Sequence, residues 1–90
     1  MKIEATDIGM ANAAEIAALG LAAIERGDGR FDLSAVVRCD SSAVAVLLEW
    51  QRAARVRGLT LDVVAPPPAI ASLAEVYGVG SLLPALSTQA

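Results

Sequence analysis

Asp40-Ser41-Ser42-Ala43-Val44-Ala45-Val46-Leu47-Leu48 puts an acidic residue and two hydroxyls where a short polar turn becomes an apolar helix. A helix start leaves its first backbone N–H groups unpaired and carries partial positive charge. Asp or Ser at that point caps the helix. One cap is enough, yet three consecutive polar residues stand between apolar runs. At least one of these side chains is therefore expected to point outward, as a contact point or as a phosphate acceptor favoured by the helix terminus.

The helix that follows is expected from about Ser42 to Arg57, with Gly58 stopping it. Val44, Leu47, Leu48 and Ala54 form a core stripe. Ala43, Val46, Trp50 and Ala53 form a second apolar stripe, displaced by about a third of a turn. Trp50 is the sole tryptophan. Either it covers the edge of the core, or it anchors a partner, because Trp is enriched at interface hot spots. On the second reading Ser41, Ala43, Val46 and Trp50 make one surface along the first half of the helix, which Arg57 extends. Arg52, Arg55 and Arg57 cluster at its end. They either complement the helix dipole on a solvated face or meet an acidic contact on a partner.

Outward from this helix, the chain alternates strand and helix. Met1 to Ile8 alternates weakly and reads as one strand. Asn12 and Glu15 resemble a capping box ahead of a first helix from about Ala13 to Arg26, with Ile16, Leu19, Gly20, Ala23 and Ile24 at helical spacing and Gly27 at its end. Phe31 and Leu33 mark a short strand, and a turn is expected through Val36 to Asp40. Leu59, Leu61 and Val63 mark another strand. Pro67 or Pro68 opens a third helix whose Ile70, Leu73, Ala74 and Tyr77 share a face, and Val79, Leu82 and Leu83 follow as an apolar tail. The order β-α-β-α-β-α predicts an α/β fold, a small, mostly parallel sheet with helices packed mainly on one face.

Composition narrows the function. Ninety residues suit a single domain, residues 1–90, and the core must come from aliphatic side chains, since the chain is 56% hydrophobic but only 3% aromatic. A net charge of −3 argues against a nucleic-acid partner. There is no histidine, the commonest general base and metal ligand, and Cys39 is the lone cysteine. Ser41, Ser42 and Cys39 thus lack an activating partner. Gly78-Val79-Gly80 lacks the context of a phosphate loop, and carboxylates at metal spacing are missing. Neither catalysis, cofactor nor metal is expected. No uncharged run reaches the roughly 18 residues of a membrane span; the longest, Val76 to Ala90, is broken by Gly78, Gly80 and Pro84. No secretory signal opens the chain. A cytoplasmic protein without direct membrane insertion is the expectation.

Phe31-Asp32-Leu33-Ser34-Ala35-Val36, then Asp40-Ser41-Ser42-Ala43-Val44, then Leu47-Leu48-Glu49-Trp50 resemble the STAS domain, and within it the short bacterial proteins of the MlaB type. Pro67 to Val79 is similar to the end of such a protein. The resemblance implies a STAS (SpoIIAA-like) fold with the Asp40–Ser42 turn exposed. It implies two rival functions. MlaB-type domains are cytoplasmic accessory subunits of an MlaFEDB-type ABC complex that moves phospholipid, held at the inner membrane through that complex. There they bind the ATPase subunit, and Asp40, Ser41, Ser42, Ala43, Val46 and Trp50 would form the contact here. In anti-sigma-factor antagonists, a partner serine kinase phosphorylates the residue matching Ser41 and so ends binding. Thr6-Asp7-Ile8-Gly9 replaces the longer strand pair of the antagonists, Ala43 replaces a frequent Gly, and no clear last strand and helix follow the third helix. All three departures resemble the MlaB type. The exposed apolar stripe would also let homodimers form when the partner is absent.

Overall fold

The computed structural model describes residues 1–78; the expected tail of Val79, Leu82 and Leu83 lies outside them. Four short strands, β1 (Asp7–Ile8), β2 (Arg30–Asp32), β3 (Arg38–Cys39) and β4 (Asp62–Val64), and three helices, α1 (Ala13–Glu25), α2 (Ser41–Val56) and α3 (Pro68–Val76), follow in the order β1-α1-β2-β3-α2-β4-α3. Both strand pairs, β1 with β3 and β2 with β4, are parallel, and each has a helix in the connection that parallel pairing requires.

These are two two-stranded sheets, linked through the N-terminal segment. Lys2 bridges Asp32 in parallel, and five residues later Asp7 pairs with Arg38. The second strand takes six residues over the same span, so it carries one extra residue. A tight turn from Leu33 to Val36, closed by a 3.0 Å bond from the Val36 N–H to the Leu33 carbonyl, absorbs it. This is why a strand, β3, stands where the sequence reads as a turn through Val36 to Asp40. It is also why Met1 to Ile8 is a paired edge with only a short regular strand. Ile3, Ile8, Phe31, Leu33, Leu61 and Val63 point into the core. Lys2, Glu4, Thr6, Arg30 and Asp62 are exposed on the other side, so one sheet face is left polar.

Helix ends follow the glycines. Gly27 and Gly58 take φ of 87° and 71°. Each sits one residue past a cap, and bonds from Gly27 N to Ile24 O and Asp28 N to Ala23 O, and from Gly58 N to Arg55 O and Leu59 N to Ala54 O, close the last turns of α1 and α2. The expected capping box of α1 does not form. Asn12 accepts a 2.9 Å bond from the Gly9 N–H and donates one to the Asp7 carbonyl. With both ends of its amide engaged there, Asn12 ties the loop to β1 and leaves nothing for the Glu15 N–H. Ala65, before Pro66-Pro67-Pro68, is held at φ 52°, a left-handed conformation that costs a residue with a Cβ about 1 kcal/mol or more.

The core gathers on Trp50. Its side chain is fully buried and stacks on Phe31, ring centroids 4.2 Å apart. The indole N–H donates to the Ala17 carbonyl at 3.1 Å, satisfying the one polar group the ring brings inside. Gly20, on the same helix as Ala17, makes room: a Cβ there would stand 2.1 Å from the indole. Ile70 and Ala74 bury α3 against the core, but Tyr77, expected to share their face, is 58% exposed.

Gly20→Ala opposes two effects. Helix propensity favours Ala by about 1 kcal/mol, whereas the added methyl overlaps the indole, which costs about 1–3 kcal/mol or more. The overlap is with a ring that cannot retreat, so the variant is expected to be less stable than wild type in urea unfolding, with a red-shifted Trp50 emission. A neutral or stabilised Gly20→Ala would contradict this packing.

Candidate partner-docking site

Asp40 is the N-cap of α2, extended at φ −115° and ψ −168°. Its carboxylate accepts the Ser42 backbone N–H at 2.8 Å and also the Ser42 hydroxyl. One of the two hydroxyls is thus committed to the cap. Ser41, at the first helical position, stands exposed beside it, and among the described residues its hydroxyl makes no hydrogen bond. The β1–α1 loop closes over the other side of the cap, where a Cβ on Gly9 would lie 3.3 Å from the Asp40 carboxylate.

The bonds from Ser42, hydroxyl first and backbone N–H second, hold the Asp40 carboxyl below its ordinary value of 3.8, and the Met10 N–H pulls the same way. The neighbouring Cys39 thiol moves oppositely. Partial burial pushes it up, and the Asp40 charge adds to the push. Cys39 is therefore a thiol at neutral pH and no nucleophile. An open cleft of about 390 Å³ lies between the strand ends, lined by Asp7, Ile8, Gly9, Arg38, Cys39 and Asp40. Among the described residues no group of three Cys, Asp or Glu is placed to hold a metal ion.

The residues singled out by sequence divide sharply. Asp40 and Ser41 are exposed and Ser42 is half-buried. Ala43, Val46 and Trp50, read as the apolar part of a docking face, are 0%, 3% and 0% exposed. They are core, because the second stripe of α2 is the one that faces α1 and Phe31. The surface of α2 lies on its opposite side. Ser41, Val44, Ala45 and Leu48 line a shallow, largely apolar groove of about 230 Å³, walled by Tyr77 at the end of α3. Ala45 is exposed and Leu48 half-buried. Val76 and Met10 add exposed apolar surface, at 78% and 88%. Sequence reading missed Ala45 and Tyr77; Leu48, read as part of the core stripe, does pack against the core and also lines this groove. The available signal was spacing, since Ser41, Ala45 and Leu48 fall on one face of a helix.

A family model described as Mlab, STAS domain, matches residues 5–84. The chain belongs to the STAS domain family, in its MlaB-like branch. The small parallel sheets with three helices are that family's α/β architecture. Its general role is that of a regulatory or accessory binding module. No curated protein and no solved structure matches the chain significantly. No helix among the described residues is long and apolar enough to cross a membrane.

Three carboxyls, Asp28, Asp32 and Asp40, are held below their ordinary value, chiefly by hydrogen bonds: Asp28 from the Arg30 backbone, Asp32 from the Ser34 backbone and Asp40 from Ser42. The unfolded chain takes up these protons more readily than the folded one. Their stabilisation is therefore complete at neutral pH and is lost as pH falls from about 5 downward. The urea midpoint should fall over that range. Asp40→Asn, which keeps a capping side chain, should flatten the fall while leaving the neutral-pH midpoint little changed. An unaltered acid slope in that variant would remove Asp40 from the set.

Proposed function

We propose that this chain is a non-enzymatic accessory subunit of an MlaFEDB-type phospholipid-transporting ABC complex, docking on the ATPase subunit through the start of α2. The carrying observation is the pairing of an exposed, uncommitted Ser41 with the apolar groove beside it. Membership of the MlaB-like branch supports the class of partner. Asp40 and Ser42 form a rigid cap that fixes where Ser41 points, and Ala45, Leu48 and Tyr77 supply apolar area that a partner would remove from water. Catalysis is not supported, because the carboxylate that holds the Ser42 hydroxyl is kept below its ordinary value by its cap bonds and so is a weak base, and the Cys39 thiol is protonated. On this reading the protein is cytoplasmic and reaches the inner membrane only through its complex.

A second reading, an anti-sigma-factor antagonist switched by phosphorylation of Ser41, draws on the same exposed hydroxyl. A phosphate there would sit at a helix N-terminus, where negative charge is favoured, although the Asp40 carboxylate beside it opposes a second anion. Under this reading a partner serine kinase replaces the ATPase.

Ser41→Glu is expected to leave the thermal midpoint nearly unchanged, being an exposed substitution. It should weaken binding to the purified ATPase subunit about tenfold or more, because it places an unpaired charge in a desolvated contact. Ser41→Ala should bind nearly as wild type. Unchanged affinity of Ser41→Glu in calorimetric titration would sink the docking reading. Recovery of a serine kinase with phosphate on Ser41, in place of an ATPase, would establish the switch.

A further inference from the structure

An open hollow of about 390 Å³ lies between the C-terminal halves of α1 and α2 and shares no residue with the groove beside Ser41. Leu21 and Val56 line it together with four charged side chains, Glu25, Glu49, Arg52 and Arg57. Val56, the last residue of α2, is 83% exposed, an apolar side chain held in water. All four charged residues are exposed. Among the described residues the ion pairs are Met1 with Asp28 and Arg30 with Asp62, and none of the four takes part in them. Two carboxylates and two guanidiniums make this hollow neutral in a chain of net charge −3.

The order of the charges along α2 is self-complementary. Glu49, Ala53 and Arg57 follow one another at intervals of four residues and lie on one ridge, with the acid and the base equally far from the alanine. Two copies of α2 laid antiparallel about a twofold axis at Ala53 therefore set Glu49 of each across from Arg57 of the other, twice. Ala53 is half-buried and small, so the two helices can cross closely there. Val56 of each copy then falls in the hollow of the other, over Leu21. A parallel, in-register arrangement would instead bring like charges together. An unrelated partner would have to present the reversed pattern, whereas a second copy of this chain carries it by symmetry.

We propose that this chain forms a twofold homodimer through the α1–α2 hollow, held by two Glu49–Arg57 pairs around an apolar centre of Ala53 and Val56. The apolar stripe from which self-association was expected, Ala43, Val46 and Trp50, is buried, and the hollow takes its place. The dimer goes beyond the docking function proposed above and does not rest on it, since the two surfaces have no residue in common. One ridge and one hollow make a small contact, and its ion pairs lie at the solvent edge. The dimer is therefore weak, with a dissociation constant above about 1 μM, and sensitive to salt.

Sedimentation equilibrium of the full chain, over a micromolar-to-millimolar concentration series at low and high salt, tests this. Wild type should pass from monomer to dimer, with weaker association at high salt. Glu49→Arg alone and Arg57→Glu alone each turn both cross-copy pairs into like-charge contacts, and each should weaken the dimer about tenfold or more. Circular dichroism confirms that the variants remain folded. An equimolar mixture of the two should recover wild-type association, because one then presents two cations where the other presents two carboxylates. The double variant Glu49→Arg/Arg57→Glu should likewise self-associate as wild type does. Wild type that stays monomeric throughout would overturn the proposal. So would a dimer that both single variants leave unchanged, or single variants whose mixture and double form fail to restore it.

Discussion

The Trp50 indole is shared by three elements. It projects from α2, stacks on Phe31 of the sheet and donates its N–H into α1 at Ala17, over the gap that Gly20 leaves. In a chain that is 3% aromatic, this is the largest side chain and the one with a fixed polar demand. The separation of α1 from α2 is thereby set by the thickness of an aromatic ring, with Ala17, Ala43 and Ala54 letting the backbones close around it. The rotation of α2 about its own axis is set as well. Once Ala43, Val46 and Trp50 face inward, Ser41, Ala45, Arg52 and Arg55 must face solvent. The proposed docking surface is thus the reverse side of the core, and a change in the indole's seat would turn that surface away.

Much of this was legible in the sequence, where local chemistry was decisive. The α1 and α2 boundaries fell within a residue of expectation because Gly27 and Gly58 terminate them and Asp40 starts α2. Parallel pairing was expected from the helical connections. The polar cap followed too, in that three polar residues offered more groups than one cap uses. What failed was the choice between two stripes on one helix. Val44 and Leu47 on one stripe and Ala43, Val46 and Trp50 on the other are equally apolar, and both are buried. Only tertiary partners decide that, and Gly20, whose missing side chain accommodates Trp50, lies thirty residues away in sequence. The β3 strand was missed for a similar reason. Its pairing with β1 depends on an extra residue absorbed at Leu33–Val36, which no local pattern announces.

The division of labour within Asp40-Ser41-Ser42 shows how one short motif serves fold and surface together. Asp40 and Ser42 bond each other and the helix terminus through one carboxylate oxygen. Ser41 takes no part in that arrangement, so substitution there acts on the surface and leaves the helix start intact. A residue at that position can therefore change without dismantling the cap.

The shifts at Cys39 and Asp40 carry a consequence of a different kind. One group is pushed up and the other down, both away from neutrality, and the chain holds no histidine to titrate between them. Across mildly acidic to mildly alkaline conditions the charge at the start of α2 is constant. Proton concentration is therefore not a signal this surface reads. A modification that adds or removes a covalent group would change that charge where a change of pH does not.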